Sequence, residues 1–274
     1  MKPAAFEYLK PRDLPEAAAA LGAEGSKLLG GGQSLGPMLN LRLARPSLLV
    51  DVSKLDSLRR IEETPDLWRI GGSVTHAQIE DRRGSLPGIE MMAEVAAGIA
   101  YRSVRNRGTI GGSLAHADPA ADWPLALAVI DATVIASGKA GSRKIPADRF
   151  MIATFTTELK ADEIIEAVEV PKLSASARTG YFKFCRKTGE FPEASAAIVL
   201  DGPRRVARLF IGALNGAPQS LPALAAAVAE KGMAAASKEA IVAALKAAAP
   251  ELDAVGLRMH AGAVTRAISQ AVGP

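Results

Sequence analysis

Cysteine is almost absent from this chain, with Cys185 as the one example in 274 residues. A single cysteine forms no internal disulfide and is too few for an iron–sulfur cluster, which in most proteins takes four thiolates. Any such cluster that serves this protein must therefore belong to another chain. We interpret Cys185 itself as a small buried apolar residue.

Aromatic residues are also scarce, at 4% of the chain, and the formal net charge is only +4. The densest basic cluster consists of Arg102, Arg105 and Arg107. Proteins that hold single-stranded nucleic acid combine basic grooves with stacking aromatics, so we expect no nucleic-acid partner. An apolar content of 49% and a charged content of 23% are ordinary for a folded globular protein.

Long hydrophobic runs are missing as well. A membrane helix needs roughly 18 or more uncharged apolar residues, and even "WPLALAVIDATVIAS" is interrupted by Asp131. The amino-terminal stretch carries charges where a signal peptide needs an apolar core. We therefore expect a cytoplasmic protein with no integral membrane segment. The three histidines, His76, His116 and His260, stand far apart in the sequence, and we predict no metal site.

The amino-acid composition changes near "PKLSASARTG", and this change predicts one domain over residues 1–175 and a second over 176–274. The first domain, with subdomains of about 1–55 and 56–175, alternates short helices and strands. Asp13 is a predicted helix cap with Gly22 as the helix end, and Thr75 with Gln78 forms a predicted capping box after a strand. The second domain begins with three strands in an antiparallel meander and ends in alanine-rich helices.

Two glycine clusters carry most of the functional information: "GGGQSLGP" at 30–37 and "GTIGGSLAHADP" at 108–119. Without Cβ atoms, successive backbone N–H groups can converge on an anion. Neither cluster has the spacing of a Walker loop, and neither is a G-x-G-x-x-G that opens a helix. A tight turn without a ligand remains the alternative for either cluster.

The second cluster is the more specific, because it runs on into His116, Asp118 and Asp122. Small uncharged residues followed by a carboxylate suit the pyrophosphate and then the ribose hydroxyls of a nucleotide. Two such clusters from different segments suit a pyrophosphate better than one. The residues alone therefore predict a nucleotide-binding α+β protein.

The pair "GGGQSLGPMLNLRLARP" and "RNRGTIGGSLAHADPAADWP" resembles the flavin-binding medium subunit of molybdenum hydroxylases. This group includes aerobic carbon monoxide dehydrogenase, bacterial xanthine dehydrogenases and related N-heterocycle hydroxylases. The resemblance continues through "FMIATFTTELKADEIIEAVEVP" and "YFKFCRKTGEFPEAS", so it covers essentially the whole chain in order. It implies an α+β protein with a two-subdomain FAD-binding fold of the vanillyl-alcohol-oxidase type. A small C-terminal α+β domain with a three-stranded antiparallel sheet and helices would follow.

The resemblance also implies a set of FAD-binding residues, with the cofactor held non-covalently. One face of the pyrophosphate would meet Gly30, Gly31, Gly32, Gln33 and Ser34, and the other Thr109, Gly111, Gly112 and Ser113. Asp122 would accept hydrogen bonds from the ribose, so that Asp122→Ala would weaken FAD affinity without unfolding the protein. Lys183 would lie near the flavin ring, although a solvated strand lysine is an equal alternative.

Some residues depart from the family pattern or stand outside it. Many relatives have histidine at the position of Gln33, which matters little if the contacts are made by the backbone. Some proteins of the wider fold attach flavin covalently to a histidine, which makes His116 a candidate anchor. The family that this chain resembles generally holds FAD non-covalently, so we expect no covalent bond. We interpret His76 and His260 as capping or packing residues.

The partners implied by the resemblance are a large subunit with a molybdenum cofactor and a small subunit with two [2Fe–2S] clusters, arranged as a dimer of heterotrimers. The substrate would be oxidised on the large subunit. The flavin would collect electrons from the clusters and pass them to NAD⁺, a quinone or oxygen. Two alternatives stay open: a self-contained FAD-dependent reductase or oxidase of the same fold, and an assembly protein that has lost the cofactor.

Overall fold

The structure, a computed structural model, describes residues 2–273 and begins with a small parallel sheet. Its elements are β1 (Glu7–Leu9), α1 (Leu14–Leu21), β2 (Ser26–Leu29), α2 (Leu35–Asn40) and β3 (Leu48–Asp51). The strand order is β1-β3-β2 and both pairs are parallel. The first glycine cluster directly follows β2, so it lies at the carboxyl edge of this sheet. In open α/β sheets that edge is where ligands bind.

A five-stranded antiparallel sheet and six helices form the second unit. Its elements are β4 (Ile61–Glu63), β5 (Leu67–Gly71), α3 (His76–Glu80), α4 (Glu90–Ala97), α5 (Arg102–Arg105), α6 (Ile110–His116), α7 (Asp122–Val129), β6 (Thr133–Gly138), β7 (Gly141–Pro146), α8 (Ala147–Phe150), β8 (Met151–Ala153), β9 (Thr156–Thr157) and β10 (Ile164–Pro171). The strand order is β4-β5-β10-β6-β7, and β8 pairs separately with β9. The predicted boundary near residue 175 lies in the connection that leaves β10.

The third unit is an antiparallel sheet covered by helices. Its elements are β11 (Arg178–Phe184), β12 (Ala194–Asp201), β13 (Val206–Gly212), β14 (Gln219–Ser220), α9 (Pro222–Lys231), α10 (Lys238–Ala248) and α11 (Ala254–Val272). The predicted meander is confirmed in β11, β12 and β13, and the two-residue β14 adds a fourth strand beside β13. Helix α11 packs across β11 and β12, and a Cβ at Gly180 would overlap the carbonyl group of Ala267.

Helix α7 joins the second and third units. All eight of its residues are buried, and it contacts β12 and β13. A helix surrounded by protein is apolar on every side, which accounts for the sequence "WPLALAV". The ion pairs of Arg208 on β13 with Asp131 and Asp148 of the second unit, at 3.0 and 2.9 Å, reinforce this junction. The two units therefore share one interior.

The local signals in the sequence are confirmed where they were strongest. The Asp13 carboxylate accepts a hydrogen bond from the Glu16 N–H at 2.9 Å, and Gly22 is the C-cap of α1. Thr75 and Gln78 form both hydrogen bonds of a capping box at the start of α3. No helix within residues 2–273 is both long enough and apolar enough to cross a membrane.

Candidate functional site

The first glycine cluster forms a tight turn between β2 and α2. Gly32 has a φ of +73°, in the region that favours glycine. The backbone N–H groups of Gly31, Gly32, Gln33 and Ser34 donate to no protein atom among residues 2–273. Such unpartnered N–H groups in consecutive residues form a site for an anion.

The second glycine cluster opens a helix, although it lacks the G-x-G-x-x-G spacing. Thr109 is the N-cap of α6, and its hydroxyl accepts a hydrogen bond from the Gly112 N–H at 3.0 Å. Gly111 and Gly112 therefore lie in the first turn of α6 rather than in a loop. The first cluster likewise leads into a helix, because Ser34 is the N-cap of α2.

The donors of this first turn are already engaged by the protein. The Ile110 N–H donates to the Val74 carbonyl at 3.0 Å, and the Gly111 N–H donates to the Gly72 carbonyl at 2.9 Å. The sequence predicts that both clusters offer backbone N–H groups to a ligand. In the structure the first cluster offers them, while α6 offers a surface without side chains and the hydroxyls of Thr109 and Ser113.

The two clusters lie directly against each other. A Cβ at Gly31 would overlap the carbonyl group of Arg107, and a Cβ at Gly30 would lie 3.1 Å from the Thr109 hydroxyl oxygen. Gly111 also leaves no room for a side chain, since its Cβ would lie 2.5 Å from the Gly72 carbonyl oxygen. The glycines thus let two segments approach to backbone distance. The resulting cradle has unpartnered N–H groups on one side and a surface without side chains on the other, which is the chemistry that an anionic group requires.

Asp122, the predicted ribose ligand, is the first residue of α7 and is 5% exposed. Its carboxylate accepts a hydrogen bond from the Tyr181 hydroxyl at 2.6 Å and lies 3.0 Å from the Lys183 ammonium. Lys183 also donates to the Gly98 carbonyl oxygen at 2.8 Å. Asp122 and Lys183 were predicted to touch different parts of the cofactor, and the structure brings them into direct contact. Tyr181 and Lys183 occupy part of the acceptor capacity of the carboxylate, which limits what it can offer to a ribose.

These three side chains form a polar group between the second and third units, in which Asp122 is buried and the other two are partly buried. Burial raises the pKa of Asp122 above its ordinary value, against the opposing influence of the Lys183 ammonium and the Tyr181 hydroxyl. Burial and the adjacent carboxylate raise the pKa of Tyr181. Lys183 is only 11% exposed in its side chain, so the alternative of a solvated strand lysine is wrong. Its proximity to a flavin ring stays a prediction.

The remaining sequence candidates fall in different places. The Gln33 amide donates to the Gly31 carbonyl oxygen at 3.2 Å, so this side chain stabilises the turn. The ring of His116 packs against Phe155, with 5.1 Å between the ring centroids. His260 is buried among the helices of the third unit and contacts two carbonyl oxygens there. No group of three or more potential metal ligands occurs in residues 2–273.

Sequence reasoning missed two residues that shape the site. Tyr181 stands two residues before Lys183 on β11, and alternation along a strand would have placed both side chains on one face. Gly72 follows β5, and its carbonyl oxygen accepts a hydrogen bond from the Gly111 N–H in the first turn of α6. The adjacent glycines "GG" at the end of that strand were the available signal in the sequence. Neither contact has a local signature, because each joins segments that are far apart in the sequence.

Comparison with known proteins shows similarity over most of the chain. Residues 4–173 match the family described as the FAD binding domain in molybdopterin dehydrogenase. The carbon monoxide dehydrogenase medium chain of Hydrogenophaga pseudoflava is 37% identical over 224 residues, which cover 81% of this chain and 78% of the relative. The nicotine 6-hydroxylase medium subunit of Paenarthrobacter nicotinovorans is 38% identical over 226 residues, which cover 81% of this chain and 79% of the relative.

Solved structures extend the similarity to the third unit. A carbon monoxide dehydrogenase structure from Hydrogenophaga pseudoflava superimposes with a TM-score of 0.89 at 33% identity, over 99% of this chain and 98% of that chain. Quinoline 2-oxidoreductase from Pseudomonas putida 86 superimposes with a TM-score of 0.88 at 30% identity, over the same shares of the two chains.

Proposed function

The chain belongs to the family of FAD-binding domains found in molybdopterin dehydrogenases, and from this premise we propose that it is the FAD-carrying medium subunit of a multi-subunit molybdenum hydroxylase. The observation that carries the proposal is the turn at Gly31, Gly32, Gln33 and Ser34. Its four N–H groups have no acceptor among residues 2–273, and they lie where the backbones of the two glycine clusters touch. Contact between the two clusters, with unpartnered donors beside it, supports a ligand site over a tight turn without a ligand.

In this proposal each part of the cradle has a defined task. The four N–H groups hold the pyrophosphate, and the hydroxyls of Thr109 and Ser113 add donors from the other side. Gly30, Gly111 and Gly112 contribute close approach without donating. Asp122 receives a ribose hydroxyl with the acceptor capacity that Tyr181 and Lys183 leave. The Lys183 ammonium lies by the ring and favours negative charge there.

FAD, when bound, supplies the ability to take up electrons singly or in pairs and to release them to a different acceptor. The chain itself binds, orients and shields the cofactor, and its one cysteine leaves iron–sulfur clusters to other subunits. We assign it a large molybdenum-cofactor subunit and a small iron–sulfur subunit as partners, in a cytoplasmic dimer of heterotrimers. The division into residues 1–175 and 176–274 follows the change from the second to the third unit.

The direct test is FAD content and subunit dependence. The purified chain should be yellow and release one FAD per chain on denaturation. The reconstituted three-subunit complex should transfer electrons from an N-heteroaromatic, a purine or carbon monoxide to an external acceptor, while the chain alone should oxidise none of these. A colourless chain that takes up no added FAD would contradict the cofactor assignment. Turnover of a donor by the chain alone would instead favour a self-contained enzyme.

The first turn of α6 gives a mutational prediction. Gly112→Val should lower FAD affinity by at least about tenfold, because even a Cβ at this position lies 2.8 Å from the Thr109 hydroxyl oxygen. The branched side chain would also fill the exposed surface that the phosphate needs. Gly262→Val is the matched control, since Gly262 lies in helix α11 with nothing within 4 Å of its Cβ position. Equal FAD affinity in the two variants, measured by quenching of FAD fluorescence, would remove α6 from the cofactor site.

A further inference from the structure

The ring of His76 lies beneath the turn that opens α6. His76 is 5% exposed, and a Cβ at Gly108 would lie 2.9 Å from both Cδ2 and Nε2 of the imidazole. The His76 backbone N–H donates to the Gly108 carbonyl oxygen at 2.9 Å. Main chain and side chain of one residue therefore both contact the glycine that precedes the N-cap of α6.

The other edge of the same ring is fixed by α7. The Trp123 indole N–H donates to Nδ1 of His76 at 3.0 Å, so the neutral ring carries its proton on Nε2. Trp123 is fully buried and directly follows Asp122. The imidazole thus lies between the helix that carries Asp122 and the turn against which Gly31 packs.

From this placement we infer that His76 is a positioning residue for FAD binding: its neutral imidazole, held by the Trp123 indole, sets the position of the Gly108–Thr109 turn and so the shape of the phosphate cradle. The inference rests on the proposed FAD function. It differs from the capping or packing role expected from the sequence, because it links the ring to the affinity for a ligand that the ring does not touch.

Burial must keep the ring neutral for it to accept the Trp123 hydrogen bond. Burial, with a smaller contribution from the Arg105 guanidinium, lowers the pKa of His76 from 6.5 to about 4. The titratable groups on the surrounding elements are Glu80 on α3, Asp81 at its end, Glu90 and Glu94 on α4, Arg102 and Arg105 on α5, Arg107 in the turn, His116 on α6 and Asp122 on α7. Glu80 and Asp81 are held in ion pairs with Arg102 and Arg105.

The sign of the pH effect follows from the lowered pKa. The unfolded chain protonates His76 near pH 6.5, whereas the folded chain resists protonation until about pH 4. The unfolded state therefore binds more protons in this interval, and stability should fall as the pH falls from 6.5 towards 4. Asp122 also has a shifted pKa, so the His76 contribution is measured in an Asp122→Asn background as well.

The test compares FAD dissociation constants at pH 7.5, well below the melting temperature of each variant. His76→Leu leaves the Trp123 N–H buried without an acceptor, and we expect it to weaken FAD binding by about tenfold or more. His76→Gln supplies a new acceptor and should restore most of the affinity. The double variant His76→Leu/Trp123→Phe removes donor and acceptor together and should bind better than His76→Leu alone.

Two comparisons separate positioning from general destabilisation. His260→Leu removes another buried histidine, in the third unit, and should lower the melting temperature without changing FAD affinity. Between pH 7 and 5 the melting temperature of the wild type should fall more than that of His76→Leu/Trp123→Phe, with or without Asp122→Asn. If wild type binds FAD but His76→Leu binds it within twofold, or His260→Leu weakens it equally, the inference is wrong. Failure of the wild type to bind FAD would overturn the proposed function instead.

Discussion

Gly31→Ala should abolish FAD retention. Gly31 is buried, and even a Cβ there would overlap the carbonyl group of Arg107. The obstacle is backbone on both sides, so no side-chain rotation can relieve it. The first cluster must then move away from the Gly108 turn and carry its N–H groups with it. We expect affinity to fall by more than about a hundredfold, which corresponds to about 3 kcal/mol of binding free energy.

Gly36→Ala is the matched control for this change. Gly36 lies five residues further on in α2, and nothing is found within 4 Å of its Cβ position. Alanine favours helix over glycine by about 1 kcal/mol, so this variant should bind FAD normally and be slightly more stable. FAD titration together with thermal melting separates affinity from folding. Equal FAD affinity in Gly31→Ala and Gly36→Ala would show that the contact between the clusters is not needed for the cofactor.

The sequence predicted those features of the fold that depend on residues close together in the chain. Examples are the Asp13 cap, the Thr75 capping box and the three-strand meander. Helix α6 was missed because its first turn contains Gly111 and Gly112, and glycine lowers helix propensity. Tertiary hydrogen bonds to the segment after β5 hold that turn in place. Local propensity could not reveal this support.

In the candidate site, too, the sequence identified local motifs but not the contacts between distant segments. The glycine clusters were identified from composition and resemblance, and their contact was expected for a shared ligand. The asymmetry between them was not predictable, because it depends on which N–H groups Gly72 and Val74 have already engaged. The pairing of Asp122 with Tyr181 and Lys183 was also missed, since it joins residues about sixty positions apart. Motifs indicate which residues matter, whereas partners follow from packing.

Asp122→Ala should destabilise the protein as well as weaken FAD binding. From the sequence alone, only the loss of affinity is expected. In the structure the change leaves the Lys183 ammonium, 11% exposed, without its carboxylate, and leaves the Tyr181 hydroxyl without its acceptor. Removing one partner of a buried ion pair costs about 3–5 kcal/mol of unfolding free energy. Denaturant unfolding of the FAD-free protein measures this loss separately from the cofactor.

The cause of that loss can be isolated by a second substitution. In Asp122→Ala/Lys183→Met the buried charge is gone together with its partner, and apolar replacements of a buried pair are often tolerated. The double variant should therefore regain much of the stability lost in Asp122→Ala, yet it should not regain FAD affinity, because both proposed ligand groups are missing. Recovery of affinity along with stability would mean that Asp122 and Lys183 only brace the junction of the two units. An Asp122→Ala variant as stable as the wild type would mean that the pair does not brace it at all.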